Sequence, residues 1–370
     1  MRTLYVAAGG GGDAVGALLA RRALGDTDER PPLVTTCAWE RLRIDPVPGP
    51  RARADFTGLG LVDGVPCEVL PSSDTVPSDR SVLPRLAETS GARIFLHDFE
   101  GGAVGLTEQL QHLVRSLEID RLVVVDVGGD IVARGSELGL LSPLADSLTL
   151  AAAFGTAAPT SVVVLGPGAD AELSEAEGLS LLEAIGAATI GRITPSDVRS
   201  LEAVLSWHPT EATALVAAGA IGTRGRVLMR RGSDPVPITE RTPEVWVATH
   251  PALTSFPVAQ VLVGAKTLPE VEALIRTAAV NEIDFERTVA AQSKRDMSPS
   301  SLPRLMSEMK AVGATHITDR RLSHAVGARR FAAAKAASHH SQSNLWSLDE
   351  LAQAATRAAP RDQPVRPLDS

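Results

Sequence analysis

Three apolar runs in this chain end in glycine and an acid: LYVAAGGGGD at residues 4–13, LVVVDVGGD at 122–130 and VVVLGPGAD at 162–170. Each is too short to be a core helix, and the second and third are rich in valine. Glycine then breaks the regular backbone, so the pattern marks a buried strand that ends in a turn. A helical pattern follows each run, at Ala14–Leu24, at SPLADSLTLAAAF and at Ser174–Ile185. A strand that is apolar at every position must be covered on both faces, and strand–helix alternation supplies that cover.

The alternation recurs. Residues 33–36, ARIFLHD, GRVLMRRG and EVWVATHP read as strands, and Leu106–Leu117, Ser196–Leu205 and Pro269–Ala279 as helices. Pro209 fits an early position of a helix begun by HPTEA. Aromatic residues make up only 3% of the chain, so the core is aliphatic. The prediction is an α/β fold: a doubly wound, mostly parallel, Rossmann-like sheet with a C-terminal helical extension.

A chain of 370 residues exceeds what one hydrophobic core usually spans. Residues 1–283 read as the α/β ligand-binding core. Prolines, glycines and Asp/Ser clusters break its pattern at 39–84, an irregular excursion. Residues 284–358 read as a mainly helical extension with a linker at its start, and 359–370 as a disordered tail.

The net charge of −8 argues against a general nucleic-acid partner. Cys37 and Cys67 belong to no CxxC pair, so a zinc site or disulfide framework is not expected. No signal peptide is visible, and charge, glycine or proline interrupts every apolar stretch before membrane-spanning length. These features predict a cytoplasmic protein with a small-molecule substrate and no membrane partner; a homo-oligomer is compatible with them.

The glycine turns carry the candidate chemistry. Glycine lets backbone approach a ligand, and a following helix offers free amides to an anion. Gly10, Gly11 and Gly12 are therefore candidate ligand-binding residues. Their spacing matches neither GxGxxG nor a GK[ST] loop, so there is no clear NAD or P-loop nucleotide signature. Asp13 would repel a bare phosphate; a metal or a hydroxyl-bearing ligand removes that conflict. Asp126 and Asp130 flank Gly128 and Gly129 and form an oxygen pair suited to a hard cation such as Mg2+. Arg134 and Glu137 follow as candidate ligand contacts. His97, in LHDFEGG, is a candidate proton shuttle beside Asp13, since an ordinary histidine titrates near neutrality. His208 and Glu211, in HPTEA, are candidates to enter the same pocket. The plain alternative for each acid is helix capping and loop stapling.

GGGGDAVGA, DVGGDIVARGSE with SPLAD, and HPTEA together resemble a bacterial and archaeal domain-of-unknown-function family common in actinomycetes. The likeness covers residues 1 to 350. It implies one shared fold with Gly10–Asp13, Asp126–Asp130 and Glu137 as signature positions, and it assigns them no role.

The residues point to an enzyme acting on a small polar metabolite, nucleotide- or sugar-like, by metal-assisted group transfer or hydrolysis. Two alternatives stand beside this: a lyase or cyclase acting on an amino acid or carboxylate, and a noncatalytic metabolite-binding or partner subunit.

Overall fold

The computed structural model describes residues 1–26, 28–229, 234–291, 300–337 and 344–358. The tail at 359–370 and most of the expected linker lie outside the described residues. Nine strands form the main sheet: β1 (Thr3–Ala7), β2 (Leu33–Cys37), β3 (Gly60–Val62), β4 (Val65–Val69), β5 (Arg93–His97), β6 (Arg121–Val127), β7 (Thr160–Leu165), β8 (Ala188–Arg192) and β9 (Glu244–Thr249). Their spatial order is β8-β9-β7-β6-β1-β2-β5-β4-β3.

The five central strands, β7-β6-β1-β2-β5, are parallel. The edge pairings are antiparallel on both sides. Part of the 39–84 excursion supplies one edge. Its Val62-Asp63-Gly64-Val65 stretch makes a two-residue hairpin turn, with φ of 43° at Asp63 and 80° at Gly64. Positive φ at both turn positions matches the twist of the strands, and Asp-Gly is the pair that tolerates it.

Alternate residues of β1 enter two separate cores. Leu4, Val6 and Ala8 pack with Gly102–Ser116, Pro143–Phe154 and Leu268–Ala278. Tyr5 and Ala7 pack with Gly11–Ala23 and Ala212–Ala220. Helices therefore cover both faces of the sheet. The first helix begins at Gly11 rather than Ala14, so two of the four glycines lie inside it. Its Gly16 is a contact point: a Cβ there would stand 2.2 Å from Val127 Cγ2, so only glycine lets the helix lie this close to β6.

The boundary expected at 283/284 falls inside a helix, Glu282–Ala291. A second sheet also crosses it. Val236–Ile238, Gly225–Leu228, His316–Thr318 and Leu345–Ser347 pair in that order, two strands from each side of the boundary. Leu305, Met309, Ile317, Trp346 and Leu351 form its core. Gly225–Leu228 is the strand read in GRVLMRRG, but three-residue strands carry little periodicity, which is why residues 284–358 read as mainly helical. Among the described residues, no helix is long and apolar enough to cross a membrane.

Candidate functional site: an acid-floored cleft

A cleft of about 490 Å3 opens beyond the carboxyl ends of β1 and β6. These neighbours send their connections apart, β1 towards β2 and β6 towards β7. Diverging connections leave a crevice at the strand ends, the usual ligand position in open α/β sheets.

Three acids from three elements meet on its floor. Asp13 stands in the first turn of Gly11–Ala23, and its Oδ2 accepts a 2.8 Å hydrogen bond from the Gly9 amide. Asp126 lies within β6, is 1% exposed, and accepts a 2.7 Å bond from the Gly129 amide. Asp146 belongs to the first turn of Pro143–Phe154 and is 4% exposed. Its buried Oδ1 has no hydrogen-bond partner among the described residues. One oxygen from each acid lies within 4.8 Å of the others. Oxygens on opposite sides of a Mg2+ or Ca2+ ion are separated by about 4 to 5 Å, so these three fit one hard cation.

Without a cation, the group repels itself. Two unit charges about 5 Å apart cost about 3 kcal/mol even at an effective dielectric of about 20. Burial first, and the neighbouring charges second, push these acids upward. Asp13 rises to about 7, with Asp170 adding to the burial effect while the Gly9 amide and Arg41 oppose it. Asp126, Asp130, Asp146 and Asp170 all lie well above the ordinary carboxylate range, again from burial first and from one another's charge. Backbone tightness fixes the geometry: a Cβ on Gly9 would come 2.5 Å from Asp13 Oδ2 and 3.3 Å from both Asp146 carboxylate oxygens.

The walls differ in character. Gly10 precedes the first helix with no side-chain cap, and the amides of Gly11 and Gly12 head it without an intrahelical acceptor. This edge attracts an anion. Opposite it, Asp130, Asp170 and Glu172 add oxygens. Glu172 accepts from the Leu141 and Ser142 amides at 2.7 and 2.8 Å and from the Ser142 hydroxyl. Ser142 therefore serves Glu172 rather than capping its own helix.

Arg41 supplies positive charge near the cleft. Its φ is 61°, an uncommon value for arginine. Its guanidinium pairs with Glu282 at 2.9 Å and Glu286 at 3.6 Å and lies 4.3 Å from the Trp39 ring centre. The Trp39 indole and the Gly49 amide both donate to Glu286 at 2.9 Å. Glu282 also accepts from the Ala145 amide at 3.2 Å, directly beside Asp146. The helix Glu282–Ala291 thus braces both the excursion and the helix that carries an acid of the floor.

Gly10, Gly11, Gly12, Asp13, Asp126, Asp130, His208 and Glu211 all line this one cleft. Gly128 and Gly129 stand behind it; Gly129 anchors Asp126, and Gly128 holds φ at 133° against Asp170. Arg134 and Glu137 do not line it. Glu137 accepts from the Arg134 and Gly135 amides at 2.8 and 2.9 Å, stapling its own loop. His97 lines a different cavity, so it is not positioned to shuttle a proton at the acids. His208 is buried and held down to about 3 by burial, then by Arg320 and Arg85, so it stays neutral. Its Nδ1 accepts from the Thr210 amide at 3.3 Å. The helix after it begins only at Ala212, so Pro209 sits in the preceding turn and not at an early helical position. The Thr318 hydroxyl donates to Glu211. Among the described residues, the acids placed closely enough to hold a metal ion are Asp13, Asp126 and Asp146, with Asp130 outside the group.

Asp146, Arg41, Glu282 and Glu286 were not legible as site residues. SPLAD reads as an ordinary helix start, and no local pattern links residue 41 to 282.

Fold and cleft define an α/β protein with an acid-floored pocket at the carboxyl ends of its parallel strands. The chain belongs to the family described as Protein of unknown function (DUF1152), whose model matches residues 4–290. No curated protein and no solved structure matches it.

Proposed function

We propose that the cleft is an enzyme active site holding one divalent cation, Mg2+ by preference, on Asp13, Asp126 and Asp146. It acts on a small polar metabolite with an anionic group, nucleotide- or sugar-like, by group transfer or hydrolysis. The observation that carries this reading is the convergence of three acids, one with an unpartnered buried oxygen, at 4.8 Å or less. Hard oxygen donors suit a hard cation; the Gly9 amide holds Asp13, and the lack of a Cβ at Gly9 leaves room for Asp146 beside it.

When bound, such a cation neutralises substrate charge and polarises an oxygen for attack. The chain's own groups do the rest. The Gly11 and Gly12 amides bind the anionic group and orient it over the acids. Asp130, buried and raised, holds a proton at its carboxyl for transfer. Asp170 and Glu172 receive hydroxyl or amino groups of the ligand. The same reading takes the central sheet as doubly wound and Rossmann-like, with the cleft where the winding reverses, and places the protein in the cytoplasm.

The test is calorimetric titration of Mg2+, Mn2+ and Ca2+ into the full chain, followed by nucleotides and sugar phosphates with the cation present. Cation binding that Asp126→Asn and Asp146→Asn each abolish, and anion binding that needs the cation, are the expected results. Folded wild-type protein that binds no divalent cation ends the proposal.

A further inference from the structure

A second cavity, of about 360 Å3, lies under β2 and β5, away from the acid floor. Parallel pairing sets Cys37 beside His97, so Thr35 and His97, two places apart in register, share one face. Both are almost fully inaccessible, at 0% and 1%. Neither ring nitrogen of His97 nor the Thr35 hydroxyl has a hydrogen-bond partner among the described residues. Burying such groups unpaired costs about 1 to 3 kcal/mol each. All of them line the cavity, as does Arg53, whose Nε is likewise buried and unpartnered.

Of the other polar groups on the wall, Asp98, Gln109 and His112 are engaged, and Glu108 adds a second carboxylate. Asp98 accepts from the Glu100 and Arg53 amides at 3.1 and 3.2 Å, and Gln109 bonds both backbone groups of Asp98 at 3.0 and 2.8 Å. His112 bonds the Val62 carbonyl at 2.9 Å. The rest of the wall is largely apolar, including Val65, Leu96 and Leu110. Room is left on one side, because a Cβ on Gly101 or Gly105 would meet nothing within 4 Å.

We infer that this cavity is a second binding site, for a small monocarboxylate bearing a hydroxyl or keto oxygen. Arg53 holds the carboxylate, the second oxygen reaches Thr35 and His97, and the carbon chain packs on the aliphatic wall. A guanidinium recognises a planar carboxylate through paired N–H donors. Burial drives the His97 imidazole down to about 3, so it is neutral and offers one donor and one acceptor, matching a hydroxyl or keto oxygen. The volume lies at the small end of the range for ligand pockets.

The experiment titrates lactate, pyruvate and lactamide into the full chain by calorimetry. Wild type, Arg53→Gln, His97→Gln and Asp126→Asn are compared, each checked for folding by circular dichroism. Lactate or pyruvate binding that Arg53→Gln weakens at least about tenfold, that lactamide does not reproduce and that Asp126→Asn leaves intact supports the site. Equal binding of lactamide, no response to Arg53→Gln, loss of binding in Asp126→Asn, or no binding to wild type overturns it. Arg53 is half-buried, so its variant keeps the proposal testable even if His97→Gln fails to fold. The outcome is independent of the cation reading, since Asp126→Asn removes that site and leaves this one.

Discussion

Replacing Asp13 by asparagine is expected to stabilise the protein when no cation is present. The Asp13 carboxyl sits at about 7 in the fold against an ordinary 3.8. A group raised in the folded state contributes stability that is complete below its unfolded value and is lost as pH rises through its folded value. The displacement of about three pH units corresponds to about 4 kcal/mol by about pH 8, and solvent reaching a half-buried side chain reduces this to about 2 to 4 kcal/mol. Asparagine removes the charge and keeps an oxygen for the Gly9 amide. Urea unfolding in a chelator at about pH 8 should therefore show Asp13→Asn more stable than wild type by about 2 to 4 kcal/mol, with the gap narrowing towards about pH 5. Saturating Mg2+ should reverse the order, because a ligand stabilises only the state that binds it. A variant less stable than wild type in chelator at about pH 8 would refute the argument that repulsion and burial dominate this floor.

Gly9→Ala places a methyl 2.5 Å from Asp13 Oδ2 and should weaken cation affinity about 10- to 100-fold in a calorimetric titration, with little change in circular dichroism. Arg41→Met strips the counter-charge from Glu282 and Glu286 and should cost about 3 to 5 kcal/mol in denaturant unfolding; a loss below about 1 kcal/mol would show the pairs to be incidental. Gly128→Ala meets both a φ of 133° and an Asp170 oxygen 2.2 Å from the new methyl, and should lower stability by about 1 to 3 kcal/mol or more in the same assay. Cation affinity should rise with pH from about 5 to about 8, because protons on the raised acids compete with the metal; a flat profile would contradict their raised positions.

The central strands were readable because a strand buried on both faces leaves a continuous apolar run and its turn leaves glycine and acid. LVVVDVGGD gave both Asp126 and its anchoring Gly129 within one short window. The helices read at Ser174–Ile185 and Pro269–Ala279 formed there, opened by side-chain caps from Ser174 and Thr267. Asp146 was hidden because an acid in a first helical turn has a sufficient local explanation in the helix dipole. His97 misled for a related reason: the end of a strand marks a crevice, but β5 lies two strands from β1, and its end opens onto other ground. β9 and Gly225–Leu228 were legible as the strands EVWVATHP and GRVLMRRG, but the antiparallel and second-sheet pairings they enter are tertiary and leave no mark in local periodicity.

The brace across the cleft has a consequence for synthesis. Trp39 and its Glu286 partner are separated by 247 residues. At a translation rate of about 5 to 20 residues per second, the first strands wait roughly 10 to 50 seconds for that partner to leave the ribosome. Once residue 146 has been added, Asp13, Asp126 and Asp146 have all been made, while Arg41 still lacks Glu282 and Glu286, the glutamates that fix it. A nascent chain can therefore assemble the acidic floor before its brace exists, and the order of emergence makes metal capture during translation a chemically available step in maturation.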